Sequence, residues 1–296
     1  MKAIYLDHNI IQYFSGCFPS SVDAAAEFAA LTAAKSDPDF HFVLSPWSIF
    51  EAASGTDLKR IEACASFTED LSLWFIPDHP VLAKREMRRY VFRKYFSVDT
   101  LLETPFTACY SQHLADIGIK NVPVGKYTAA GMIRHYSQSS TTTFDPIDQQ
   151  KVARPLILKQ LQEAKAEGKM TKELELQVTQ ASFSKYFPER YPDGTPISME
   201  EQKNIICGLV ANRKEVLREC PTLWIDSLLS DYRIENRNRN PQAGDAIDLM
   251  HAGSALVYCN AFVSHDGYTR NGAERAARAA KTGCRVVPLL SALFPN

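Results

Sequence analysis

Four acidic residues stand where an α/β protein builds sites. Asp7 directly follows the apolar run Ala3-Ile4-Tyr5-Leu6, and Asp266 follows Ala261-Phe262-Val263 after Ser264 and His265. Glu51 lies on the helical run that opens at Ser45-Pro46, just after a second apolar stretch, His41 to Leu44. Asp248 lies on a small-residue helical pattern (Ala246, Ile247, Leu249, Ala252, Ala255, Leu256) that leads into Ala261. If the apolar runs are parallel strands joined by right-handed crossovers, their carboxyl ends share one sheet edge, and residues just past those ends meet there. Gathered carboxylates repel one another, and some stay protonated unless a cation neutralises them. Hard divalent ions with oxygen ligands suit such a cluster, so the expected cofactor is Mg2+ or Mn2+ held by Asp7, Glu51, Asp248 and Asp266. Ions of this kind activate water and stabilise a leaving oxygen when a phosphodiester is cut.

Each acid alone has a plainer role. Asp7 can cap the helix that follows it. Glu51, among Ile49, Phe50, Ala52 and Ala53, can be the surface acid of an amphipathic helix. Asp245 shares a helix face with Asp248 and is either an N-cap or an additional ligand. His251 reads as a packed residue supporting the acids rather than a ligand, because Mg2+ prefers oxygen. His8 and His265 flank two of the acids and line the same place. Four acids reaching one edge, without a comparable cluster of lysines, favours the metal.

The elements that must position these residues are strand–helix units at both ends of the chain. Lys2–Leu6, His41–Leu44, Leu73–Ile76, Ala261–Val263 and Cys284–Pro288 read as strands, and helices are expected over 21–36, 47–54, 56–71, 81–97 and 273–282. The fold class is α/β: a parallel sheet flanked by helices, formed by residues 1–97 and 243–296, with a large, mostly helical insertion at 98–242. Within the insertion, 98–135 reads as mixed short segments and Ser137 to Asp148 as a loop. Val152–Ala166, Met170–Tyr186, a helix opened by a Ser198 capping box and running to about Glu219, and Leu223–Tyr232 read as helical.

Two basic stretches could hold a phosphate backbone. Helix 81–97 carries Arg88, Arg89, Arg93 and Lys94 with aromatic residues interleaved, and Arg237 and Arg239 lie in an Arg/Asn run directly before Asp245. The alternatives are a solvated helix face and a solvated linker. The formal net charge is −1, yet residues 80–240 carry 24 Lys+Arg against 19 Asp+Glu, while the rest carries 9 against 15. This balance suits selective contact more than indiscriminate polyanion binding. The seven cysteines form no C-x-x-C pair and are odd in number, which fits reduced thiols in a cytoplasm better than a disulfide framework or a zinc site. No signal-peptide layout and no apolar run of membrane-spanning length is visible. The expectation is a cytoplasmic protein with no membrane partner.

The motifs LDHNII (6–11), SPWSIFEAASG (45–55), DLMHAGSAL (248–256) and FVSHDG (262–267) resemble those of PIN-domain nucleases in order and in strand–helix setting. The shared features are an acid after the first strand with a small polar residue two later (Asn9) and a Glu four residues before a Gly (Glu51, Gly55). A helical Asp follows (Asp248), and then a Ser-x-Asp after the next strand (Ser264, Asp266). Together they cover 1–97 and 243–290; the insertion has no counterpart in the resemblance. The resemblance implies a metal-dependent endoribonuclease, as in the toxins of bacterial toxin–antitoxin pairs. Water would attack phosphorus in line and leave a 5′-phosphate, with Asn9 and Ser264 orienting acids or water. RNA is then the expected partner, with a protein inhibitor or an oligomer alongside. A competing class is a non-catalytic scaffold acting through the insertion. A haloacid-dehalogenase-type phosphatase needs a second Asp where Asn9 stands. Neither a P-loop run nor a dinucleotide fingerprint is present.

Overall fold

The computed structural model describes residues 2–16, 24–54, 57–71, 73–100, 104–108, 128–138, 159–169, 172–236 and 245–294, with only the backbone at 245–247. Five short strands form one all-parallel sheet: β1 (Lys2–Leu6), β2 (Phe40–Leu44), β3 (Leu73–Phe75), β4 (Ala261–Val263) and β5 (Arg285–Val287), in the order β3-β2-β1-β4-β5. The first three strands build outward from β1 on one side, and the last two on the other. The order reverses between β1 and β4, and a parallel sheet opens a crevice at such a point, beyond the strands' carboxyl ends. Register aligns those ends: Leu6 pairs with Val263, Val263 with Val287, and Leu44 with Phe75.

The helices are α1 (His8–Phe14), α2 (Ala24–Ser36), α3 (Pro46–Ala53), α4 (Leu58–Glu69), α5 (His79–Phe96), α6 (Ala129–Gln138), α7 (Lys172–Tyr186), α8 (Met199–Ala211), α9 (Arg213–Glu219), α10 (Pro221–Glu235), α11 (Asp245–Tyr258) and α12 (Gly267–Ala280). Residues 159–166 are also helical. Alternation along the strands sends side chains to two cores. Ile4, Leu6, Phe42, Leu44, Ala261 and Val263 pack with α1 to α4 and α6, whereas Ala3, Tyr5, Val43 and Phe262 face α10, α11 and α12. A third cluster joins Met87, Tyr90, Val91 and Phe92 of α5 to Phe183 and Tyr186 of α7, Ile205, Ile206 and Leu209 of α8, and Val216 and Leu223.

Several elements differ from the sequence reading for identifiable reasons. Helix α12 starts at Gly267, six residues before the expected Ala273, because Asp266 caps it by accepting from the Thr269 amide at 2.6 Å. The helix expected from Ser198 to about Glu219 is two. At Asn212 the backbone leaves helical geometry, and the Asn212 side chain donates to the Gly208 carbonyl. Helix α6 takes in part of the stretch read as mixed segments and the first two residues of the expected loop, Ser137 and Gln138. It packs on α3 and α4. Gly55, 21–23, 139–158 and 237–244 lie outside the described residues. Among the described residues, no cysteine is in a disulfide and no helix is long and apolar enough to cross a membrane.

Candidate metal centre

The crevice between β1 and β4 is where the first acid emerges. The Asp7 amide donates to the Val263 carbonyl at 3.0 Å, extending the sheet pairing by one residue. Asp7 is buried and caps α1, its Oδ1 accepting from the His8 amide at 2.8 Å. Its Oδ2 accepts from Asn9 Nδ2 at 2.7 Å and Ser264 Oγ at 2.6 Å. Asn9 reaches across the crevice as well: its Oδ1 accepts from the His265 amide at 2.9 Å. Ser264 Oγ accepts from the Asp266 amide at 3.2 Å. One small network therefore ties both strand ends together around Asp7 and fixes the turn that carries Asp266. Arg270, on the first turn of α12, closes that turn from outside by donating to the carbonyls of Ser264 (2.9 Å) and His265 (2.7 Å).

Glu51 and Asp248 arrive from the helices on either side. Glu51, on α3, accepts from His251 Nε2 at 2.8 Å. Donor atoms of Asp7, Glu51 and His251 all lie within 4.8 Å of one another. Asp248 and His251 are three apart on α11 and share a face. The Asp248 carboxyl is pushed up to about 8, first by burial and then by the charges of Asp7 and Glu51, with His251 opposing and Asp266 adding to it. Asp7 is raised too, chiefly by burial and further by Glu51, against His251 and its hydrogen-bond donors. Of the four expected acids, Asp7 and Glu51 thus share ligand distance with His251, while Asp248 and Asp266 enter through their electrostatic influence.

The fully buried His251 stands against these carboxylates. Burial opposes a positive charge there, but the Tyr5 oxygen and the Glu51 and Asp7 carboxylates outweigh it and hold the imidazole well above its ordinary pKa. Behind it, Nδ1 lies 2.6 Å from the Tyr5 hydroxyl, which also meets Ser45 Oγ at 2.7 Å and Ser48 Oγ at 3.1 Å. Tyr5, Ser45, Ser48 and Arg270 escaped the sequence reading. Tyr5 sits inside an apolar strand, and the available signal was a pair of serines three apart at the start of α3. His8 has its pKa lowered to about 4, chiefly by burial, and contacts the Gln12 side chain. His265 packs edge-on against Tyr13 at 5.1 Å between centroids and is also lowered by burial.

The basic residues are elsewhere or outside view. Arg88 stacks over Phe92 at 5.1 Å, Arg89 faces Asp99 at 3.9 Å, and Arg93 and Lys94 pair with Glu219 (2.6 Å) and Glu215 (3.0 Å) on α9. The end of α5 thus engages acids of the neighbouring helix. Arg237 and Arg239 lie outside the described residues, as does the side chain of Asp245. Compared with protein-family models, curated proteins and solved structures, the chain has no significant match.

Proposed function

We propose that this chain is a divalent-metal-dependent nuclease, an endoribonuclease with a PIN-like core, whose site is the crevice formed by Asp7, Glu51, Asp248 and Asp266. The observation that carries this reading is the meeting of Asp7 and Glu51, from separate segments, with His251 inside 4.8 Å, together with the repulsion that Asp248 feels from Asp7, Glu51 and Asp266. The donor set fits Mg2+ or Mn2+: it is rich in hard oxygen, it lies beyond parallel strand ends, and burial, reinforced by the neighbouring carboxylates, raises the Asp248 carboxyl to about 8. Asp7, Glu51, Asp248 and Asp266 would hold the ion, which supplies a water acidic enough to attack at neutral pH and offsets charge on the phosphoryl oxygens.

The rest belongs to the chain's own residues. Ser264 and Asn9 donate to Asp7 Oδ2 and fix its plane. The Thr269 amide holds one oxygen of Asp266, which aims that carboxylate from the start of α12. RNA as substrate, a protein inhibitor and a toxin-like role rest on the motif resemblance alone. The Arg237–Arg239 run, adjacent in sequence to α11, is the stretch best placed along the chain to hold a phosphate backbone.

The test is incubation of the full chain with a pool of cellular RNAs and DNAs, in Mn2+ and in excess chelator, with mapping of the cut ends. Cleavage of RNA is expected in Mn2+ only, and Asp7→Asn should abolish it while the protein unfolds as cooperatively as the wild type. Cutting that persists in chelator, with contaminating nuclease excluded by the variant, would sink the mechanism. Metal binding without turnover on any nucleic acid would favour the scaffold reading instead.

A further inference from the structure

We propose that Tyr5, acting through His251, fixes the Glu51 carboxylate for cation binding. This buried hydroxyl–imidazole chain is a positioning device behind the metal site, and His251 is not itself a ligand. The inference rests on the reading that the carboxylates hold a divalent cation.

Glu51 needs such a device. It sits on a helix of 8 residues, and its side chain keeps 20% exposure, so its rotamers are not locked by packing alone. One of its partners is His251 Nε2 at 2.8 Å. A carboxylate only accepts, so Nε2 carries a proton and donates whether the ring is neutral or charged. The ring plane is then set from the far side, where Nδ1 meets the Tyr5 hydroxyl at 2.6 Å.

The residues around Tyr5 show what its hydroxyl is for. Tyr5 is fully buried, with its ring 5.9 Å from that of Phe262, and a phenylalanine would fill the same apolar space. Its oxygen meets two buried serines of α3, Ser45 at 2.7 Å and Ser48 at 3.1 Å. Ser45 stands at the N-cap of α3, where a serine ordinarily accepts from an amide of the first turn, worth roughly 1 kcal/mol. Here it makes no such bond. Its hydroxyl turns to Tyr5 instead, so helix stability is forgone for the network. The result is a closed ring: α3 is held by β1 at Ser45 and Ser48, β1 holds α11 at His251, and α11 returns to α3 at Glu51. Ligand-supporting hydrogen bonds of this kind commonly alter metal affinity 10- to 100-fold.

The test uses Mn2+ titration of the full chain, followed by the EPR signal of the free ion, with urea unfolding of each variant as the control for folding. Tyr5→Phe should weaken Mn2+ binding about 10-fold with the same number of sites. His251→Leu should weaken it further, and His251→Gln, which can still donate to Glu51, should recover part of that loss. Pulsed EPR of the bound Mn2+ should show no directly coordinated nitrogen. Unchanged affinity in Tyr5→Phe, or a directly bound imidazole nitrogen in the wild type, overturns the positioning role and leaves the nuclease reading intact. Failure of the wild type to bind Mn2+ overturns both.

Discussion

Replacing Asp248 by asparagine should stabilise the metal-free protein at alkaline pH. The folded carboxyl titrates near 8, against 3.8 ordinarily. Between those values the folded chain binds more protons than the unfolded chain, so stability falls as pH rises. The contribution is fully present below about pH 4 and is lost as pH passes through about 8. At roughly 1.4 kcal/mol per pKa unit the whole shift corresponds to several kcal/mol. Asp248 keeps partial exposure, and solvent screens part of the repulsion, so about 2 kcal/mol is the working figure. Asparagine has nearly the same shape and cannot ionise. In chelator, urea unfolding at pH 5 and pH 9 should show the difference between variant and wild type growing in the variant's favour by about that amount. Added Mn2+ should reverse the order. A ligand at a hundredfold excess over its Kd stabilises the binding form by about 2.7 kcal/mol, and the variant gains less. A variant less stable than wild type at pH 9 in chelator, or a difference independent of pH, would refute the reasoning and make Asp248 an ordinary helix acid.

Two glycines test the helix packing that holds the site. A Cβ at Gly272 of α12 would come within 2.8 Å of the Tyr232 ring, which is itself packed on Tyr268, so Gly272→Ala should cost about 1–3 kcal/mol in urea unfolding. A Cβ at Gly208 of α8 meets only the hydroxyl end of Tyr95, an exposed ring free to swing away, so Gly208→Ala should be neutral or stabilise by up to about 1 kcal/mol through helix propensity. Buried Glu86 of α5 accepts from the Thr222 amide (2.9 Å), the Thr222 hydroxyl (2.7 Å) and the Tyr258 hydroxyl (2.5 Å). Glu86→Ala strands those donors and should cost about 2–4 kcal/mol. Glu86→Gln keeps an acceptor and should cost visibly less by the same unfolding measurement.

The strand-end acids were legible because short apolar runs flanked by helix starts leave few ways to build a sheet, and each such run ends in a residue whose place is then known. What escaped was set by distant partners. The helix expected from Ala273 begins in fact at Gly267, and Gly272 lies inside it because α12 and α10 approach too closely for a side chain. The basic face at the end of α5 resembles a phosphate-binding surface when its helix is read alone. Its partners, Glu215 and Glu219, lie more than a hundred residues away, and no local pattern announces them. Tyr5 is the sharpest case. Its ring satisfies the apolar strand pattern, and only the sheet register and the approach of α3 and α11 reveal that its hydroxyl has work to do.

The sequence posed capping and ligation as alternatives for a strand-end acid, and the geometry dissolves that opposition. Asp7 and Asp266 are both N-caps, of α1 and α12. A cap bond holds one carboxylate oxygen against the helix start and thereby fixes the direction of the group, at the edge where the other acids gather. The cap is the means by which the acid is aimed. What distinguishes these two from ordinary caps is the company they keep. An isolated cap gains from its helix amide and repels nothing. Here Asp7 sits buried with its charge opposed by Glu51, and Asp248 feels all three of the other acids. Folding alone would not gather like charges in this way, since apolar or neutral residues at the same positions would avoid the repulsion. Something positive among the carboxylates relieves that repulsion, and the raised His251 imidazole answers part of it.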